Sequence, residues 1–228
     1  MLRTKKEIVY IILAGIFITN AITAELIGGK LIQVGPFVLS MGILPWPIVF
    51  ITTDLINEYF GKQGVKRLSY ITAGLIAYCF VVLFFSMKIP EAKGISPVSN
   101  EQFIAVFGQS NLIIVGSIIA FLVAQFLDVT IFSYFKKKTG EKMIWLRSTG
   151  STVFSQLIDS FIVGGIAFYL PGIWNTKQYI EFSLTGYSFK LIIAICLTPL
   201  IYLGHFLIEK YIHNEEEEEE EIIGIRHD

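Results

Sequence analysis

The chain alternates apolar runs of about twenty residues with short polar breaks. A helix needs roughly 20 apolar residues to cross the hydrocarbon core of a bilayer, so this pattern predicts membrane spans. Helix 1 is expected over Ile8–Ile27, ended by Gly28-Gly29, helix 2 over Phe37–Tyr59, and helix 3 over Leu68–Met87. A polar loop, Lys88–Gln109, leads to helix 4 (Asn111–Phe135), helix 5 (Ser148–Tyr169) and helix 6 (Ser188–Ile208). The expected fold is all-α, a polytopic bundle of six transmembrane helices spanning residues 1–212. Ile8–Ile27 is too long for the apolar part of a signal peptide and has no Ala-x-Ala site, so it is read as a retained helix. Pro45-Trp46-Pro47 falls inside expected helix 2, where the prolines would free carbonyls that protein or a wet cavity must satisfy. Gly116, Ala120 and Ala124 recur every fourth position of helix 4, a spacing suited to close helix contact.

Charge then orients the bundle. The net charge is −1, but Glu215–Glu221 supplies seven negatives, and the remainder carries +6. If the N-terminus is cytoplasmic, the inner segments hold Lys62, Lys66, Arg67, Lys136–Lys138, Lys142, Arg147 and Lys210, whereas the outer ones hold Lys30, Lys88, Lys93 and Lys177. By the positive-inside rule both termini are expected in the cytoplasm. A basic excess of this kind calls for no nucleic acid. Residues 213–228 form a self-repelling acidic tail expected to be disordered. Cys79 and Cys196 sit within apolar runs with no paired Cys/His spacing, so neither a disulfide nor a metal site is implied.

Polar residues inside the spans are the candidate chemistry. Helix 4 carries Gln125-x-x-Asp128 and helix 5 carries Gln156-x-x-Asp159, in each case two residues on one helical face. An ionisable group at such depth costs about 2.5–3.5 kcal/mol on insertion scales and usually marks a site or pathway. Asp159 has no cation near it in sequence and falls near the midplane. Asp54, Asn57 and Glu58 lie toward the cytoplasmic end of helix 2, Arg147 opens helix 5, Lys190 lies just inside helix 6, and Asn20 lies in the second half of helix 1. Asp54 and Glu58, close to Lys62, Lys66, Arg67 and Arg147, suit a salt-bridge cluster as well as a substrate role, and either is a candidate for coupling transport to protons. Gln125 and Gln156 suit interhelical hydrogen bonding as well as recognition. A buried carboxylate accepts two parallel N–H bonds, a carboxamide matches a carbonyl beside an N–H, and aromatic faces such as Trp46 and Phe121 stack on flat rings. The lining therefore admits a planar hydrogen-bonding solute, and equally a cation.

TDLINEYFGK (Thr53–Lys62), FLVAQFLDVTIFSYFKKKTG (Phe121–Gly140), WLRSTGSTVFSQLID (Trp145–Asp159) and the FK and LTPLIY segments of Phe189–Tyr202 resemble the queuosine precursor transporter family, also called the vitamin uptake transporter family. The likeness runs from about Asn20 to Tyr202. It implies a six-helix importer of 7-deazaguanine bases in the bacterial inner membrane, serving queuosine salvage by facilitated or proton-coupled transport without a cofactor. Asp159, Asp128, Gln156, Gln125 and Asn20 are then expected to bind substrate, and Asp54, Glu58, Asn57, Arg147 and Lys190 to couple or gate. Family members often open helix 4 with arginine; here Asn111-Leu112-Ile113 stands instead, and Lys190 is the candidate replacement. The expected partners are the small-molecule substrate and the lipid bilayer, and a small bundle of this kind can form a homodimer. The rival reading is a substrate-binding subunit of an energy-coupling-factor transporter, which would need a separate ATPase, since the chain has no Gly-x4-Gly-Lys-Ser/Thr loop. An intramembrane enzyme is the weaker rival: the chain has no nucleophile elbow and no His-Glu-x-x-His pair.

Overall fold

The computed structural model describes residues 4–108, 111–140 and 143–225, with side chains left out at 111 and beyond 212. Among the described residues the regular structure is helical apart from one small hairpin. Helix α1 is Lys5–Ile27, begun by the Thr4 side chain accepting from the Glu7 N–H. A two-stranded antiparallel hairpin follows, β1 (Leu31–Val34) and β2 (Phe37–Ser40), with Val34 opposite Phe37. Then come α2 (Trp46–Ser86), α3 (Asn100–Phe107), α4 (Asn111–Thr139), α5 (Ile144–Gly164) and α6 (Thr176–Ile225). A single wide π-type turn, Gly165–Tyr169, closes α5.

Several expected boundaries move. Phe37–Ser40 is strand rather than the start of a helix, because Gly35-Pro36 makes a two-residue turn in which Gly35 holds φ 59°. Pro45 and Pro47 sit at the N-terminal end of α2, where a missing N–H is not needed, so they free no carbonyl inside the span. The expected loop before α4 contains α3, whose start is fixed by a reciprocal pair of Ser99 and Gln102 side chains. The backbone of α6 begins twelve residues ahead of the expected Ser188 and continues through the glutamates to Ile225.

Among the described residues, five helical stretches are long and apolar enough to cross a membrane: Lys5–Ile27, Met41–Ser86, Asn100–Thr139, Ile144–Tyr169 and Thr176–Ile212. The second absorbs both expected helices 2 and 3. Its helix α2 has 41 residues, about 60 Å at 1.5 Å per residue, roughly twice the hydrocarbon thickness. It breaks at Gly61 (φ 68°, ψ 179°), a conformation open to glycine and strained for other residues. The contacts reverse direction across that break. Before it, Thr53 meets Gln125 and Glu58 meets Lys136; after it, Lys62 meets Thr130 and Tyr70 packs on Phe126. The two halves of α2 therefore run back along each other's level, joined with no intervening loop.

Burial is inverted relative to a soluble domain. Arg147 is 0% exposed and Asp54 3%, while Tyr78 is 65% and Phe85 60% exposed. Apolar side chains on the outside and paired polar ones inside are what a hydrocarbon solvent selects. Where the helices meet, Val9, Leu13, Phe17 and Ala21 of α1 pack with Val49, Ile56, Val65 and Ile76 of α2 and Phe121 and Val129 of α4. Ala120 and Ala124 are buried, and a Cβ on Gly116 would lie 3.1 Å from Ile166 Cβ, so the small-residue row does permit close approach of α4 to the turn after α5.

Candidate functional site

The inward face of α5 is a ladder of hydroxyls and carbonyl-bearing side chains. Ser148, Ser151, Thr152, Ser155, Gln156, Asp159 and Ser160 are all buried. Their spacing follows the three- and four-residue rhythm of one helical face, turned toward α4 and α2. Two distinct centres form along it.

The first is a narrow cleft whose free interior is about 10 Å³, room for about one water and far below the ~300–1,000 Å³ of typical ligand pockets. Trp46 and Phe50 of α2, Phe121, Ala124 and Gln125 of α4, and Gln156 and Asp159 of α5 line it. Trp46 stacks on Phe50 with ring centroids 5.9 Å apart and tilts toward Phe121 at 6.1 Å. The Gln125 amide donates to Thr53 Oγ1 at 3.2 Å, which orients it. Asp159 is paired with Lys190 of α6, whose ammonium also lies 5.7 Å from the Trp46 ring centroid. The absence of a cation near Asp159 in sequence thus does not carry over to space: 31 residues of chain fold back to supply one. Flat apolar walls, two carboxamides and a carboxylate are chemically matched to a planar solute that presents both donors and acceptors along its edge, and the walls must part to admit one.

The second centre lies further along α4 and α5. Asp54 accepts a hydrogen bond from Ser148, and Asp128 accepts one from Ser155 at 3.0 Å. The two carboxylates lie within electrostatic reach of each other. Glu58 Oε1 is held by Arg147 at 2.7 Å and Lys136 at 3.1 Å, while Arg147 also donates to the Gly140 carbonyl at 2.6 Å. The Arg147 guanidinium lies 5.8 Å from the Phe132 ring centroid. Asn57 is buried, and its Nδ2 has no hydrogen-bond partner among the described residues. Glu58, Arg147 and Lys136 make a salt-bridge cluster at this end of α2, whereas Asp54, expected to share one, is held by Ser148, and Lys62 reaches Thr130 instead.

Of the expected binding residues, the pocket brings together Gln125, Gln156 and Asp159. Asp128 sits one turn away with Ser155, outside the lining. Asn20 is half-buried and turns its amide to the Ile16 carbonyl at 2.8 Å, satisfying itself on its own helix instead of reaching the pocket. Lys190 stands at the pocket through its ion pair.

The model of a family described as "Putative vitamin uptake transporter" matches residues 40–204, more than half of the chain. This chain belongs to that family. Among its relatives in the vitamin uptake transporter family, the "Probable queuosine precursor transporter" of Bacillus subtilis is 26% identical over 189 residues, 82% of this chain and 79% of that protein. The protein of the same description in Haemophilus influenzae is 27% identical over 162 residues, 69% of this chain and 64% of the relative. The "Queuosine precursor transporter" of Escherichia coli is 28% identical over 164 residues, 70% of this chain and 69% of the relative. No solved structure matches. Both centres fall inside the matched stretch.

Sequence reasoning passed over the α5 hydroxyls and Thr53, which hold the acidic and amide groups in place. Their signal was present, since Ser148, Ser155 and Asp159 share the helical rhythm of Gln156. It also passed over Glu25, whose carboxylate accepts from Ser117 of α4 at 2.6 Å, because the partner lies 92 residues away.

Proposed function

We propose that this chain is a membrane importer of queuosine precursors, carrying a 7-deazaguanine base across the bacterial inner membrane for queuosine salvage. The observation that carries the proposal is the pocket in which Asp159, Gln156 and Gln125 face Trp46, Phe50 and Phe121. A carboxylate suits the adjacent ring N–H and exocyclic amine of a guanine-like edge, the carboxamides suit its carbonyl, and the rings suit its faces. The names of the three relatives support the same substrate class. In this scheme α2 crosses twice, turning at Gly61, so α1, the two halves of α2, α4, α5 and α6 make six crossings with both termini cytoplasmic. The reversal of contacts at Gly61 and the basic residues near it, Lys62, Lys66 and Arg67, support that arrangement.

Two cations already neutralise Glu58, whereas Asp54 and Asp128 are each held by a serine hydroxyl. If transport is coupled to protons, this contrast favours Asp54 with Asp128 as the exchanging pair and leaves Glu58 a structural part. The test is uptake of labelled 7-deazaguanine into liposomes that contain only this protein, with and without an inward proton gradient. Stimulation by the gradient is expected of a coupled importer, and uptake indifferent to it would make the protein a facilitator. Binding without uptake would overturn self-sufficient transport in favour of an ATPase-driven binding subunit.

A further inference from the structure

The outer surface of α4 carries ammonium groups on three successive turns. Lys66 of α2 lies over the Phe126 ring, 5.6 Å from its centroid. One turn on, Lys62 donates to the Thr130 hydroxyl at 2.9 Å, and that hydroxyl gives its own proton to the Phe126 carbonyl at 2.6 Å. One turn further, Lys138 reaches back over the Tyr134 ring, 4.6 Å from its centroid. Phe126, Thr130 and Tyr134 follow one another at four-residue steps and so share one helical face. That face looks away from the bundle: Thr130 is exposed, Tyr134 is 54% exposed, and Tyr70, packed on Phe126 at 5.1 Å, is 60% exposed.

Among the described residues, none of these three ammoniums has a carboxylate within ion-pair distance. Lys136 is the contrast, since it turns inward and pairs with Glu58 at 3.1 Å. A hydroxyl and two ring faces fix the three ammoniums in place without cancelling their charge. On a helix surface that meets acyl chains, an uncompensated charge is costly. The protein supplies no anion here, whereas the bilayer does, as the phosphate of its acidic headgroups. The rings of Tyr70 and Phe126 beside the charges offer apolar contact to the chains of the same molecule.

We propose that the seam between the second half of α2 and α4 binds an anionic phospholipid, its phosphate held by Lys62 and Lys66 and its acyl chains lying along Phe126 and Tyr70. Lys138 adds a third positive charge at the rim. On the topology proposed above the lipid belongs to the cytoplasmic leaflet, and the site does not depend on what the pocket carries. Because Lys62 directly follows the break at Gly61, a lipid held there ties the turn of α2 to α4.

The test is native mass spectrometry of the full chain in detergent micelles, titrated with phosphatidylglycerol or with phosphatidylcholine of the same acyl chains. The parent should prefer phosphatidylglycerol by about 30-fold, and Lys62→Gln combined with Lys66→Gln should remove most of that preference. Lys62→Arg combined with Lys66→Arg should keep it. Lys6→Gln combined with Lys210→Gln removes the same charge from exposed positions elsewhere and should leave the preference unchanged. An equal loss in that control would reduce the effect to overall charge and overturn the proposal, as would a parent that does not discriminate between the two lipids. Inorganic phosphate at millimolar concentration should displace no lipid; displacement would make this a site for free anions and overturn the lipid assignment. Should the glutamine pair fold poorly, Lys62→Gln and Lys66→Gln taken singly should each lower the preference about fivefold, and no loss in either overturns the site. Uptake of the base is not read in this experiment, so failure of the transport reading would leave its result standing.

Discussion

The two centres on α5 are built from the same residue types and differ in what surrounds them. At Glu58 a fully buried guanidinium and a lysine both hold the same carboxylate oxygen, and the guanidinium is itself anchored on the Gly140 carbonyl. At Asp159 one lysine makes the pair, and aromatic rings and two carboxamides form the remaining walls. A charge fixed on several sides at once is a fastening. A charge with one protein partner beside flat apolar walls is the arrangement on which the proposed binding site rests. Residue type at depth therefore says that something polar happens there, and the number of protein partners says which kind.

The comparison breaks most visibly at Arg147. Arg147→Ala should remove about 3–5 kcal/mol of stability by leaving Glu58 buried without its guanidinium, seen as a large fall in thermal midpoint in detergent. A midpoint within a degree or two of the parent would mean that Lys136 alone suffices. Asp159→Asn should instead act mainly on binding, with a loss on the order of 100-fold for two charge-assisted bonds, of about 1.5–3 kcal/mol each, weakened together. Because it also leaves Lys190 unpaired, some stability should go as well, and adding Lys190→Met should restore the stability without the binding. Recovery of both would place the base elsewhere. Trp46→Leu should weaken binding by about 0.5–1.5 kcal/mol through lost stacking, with unchanged uptake counting against the aromatic wall. The smallest effect is expected at the exposed pair Lys177–Glu181, where Lys177→Ala should alter neither midpoint nor uptake.

Much of this was readable along the chain. A helical fold with apolar spans follows from the runs of apolar residues, though not the bounds of each helix, and Gln125, Gln156 and Asp159 stand out because amides and acids are expensive in hydrocarbon. The β-hairpin was hidden because Leu31–Ser40 is apolar enough to merge with the helix after it, and hydropathy does not separate strand from helix; only Gly35-Pro36 marked the turn. The prolines at 45 and 47 were misplaced for the same reason, since moving the helix start to Trp46 turns a disruption into a favourable first turn. The pairings Lys190–Asp159 and Glu25–Ser117 join different helices, so no local spacing announces them. Asn20 shows the reverse limit: depth alone cannot tell a recognising amide from one content with its own backbone.

The polar ladder of α5 also bears on how the protein is made. Of the five stretches able to span a membrane, Ile144–Tyr169 is the least apolar. Left alone in lipid, its Arg147, Gln156 and Asp159 would face hydrocarbon, which the translocation machinery tolerates poorly. Beside α4 its Ser155 bonds Asp128 and its Arg147 lies over the Phe132 ring instead. The fifth helix should therefore depend on its predecessor for admission to the bilayer. In a glycosylation-mapped insertion assay, α5 presented singly should integrate less fully than the same segment following α4.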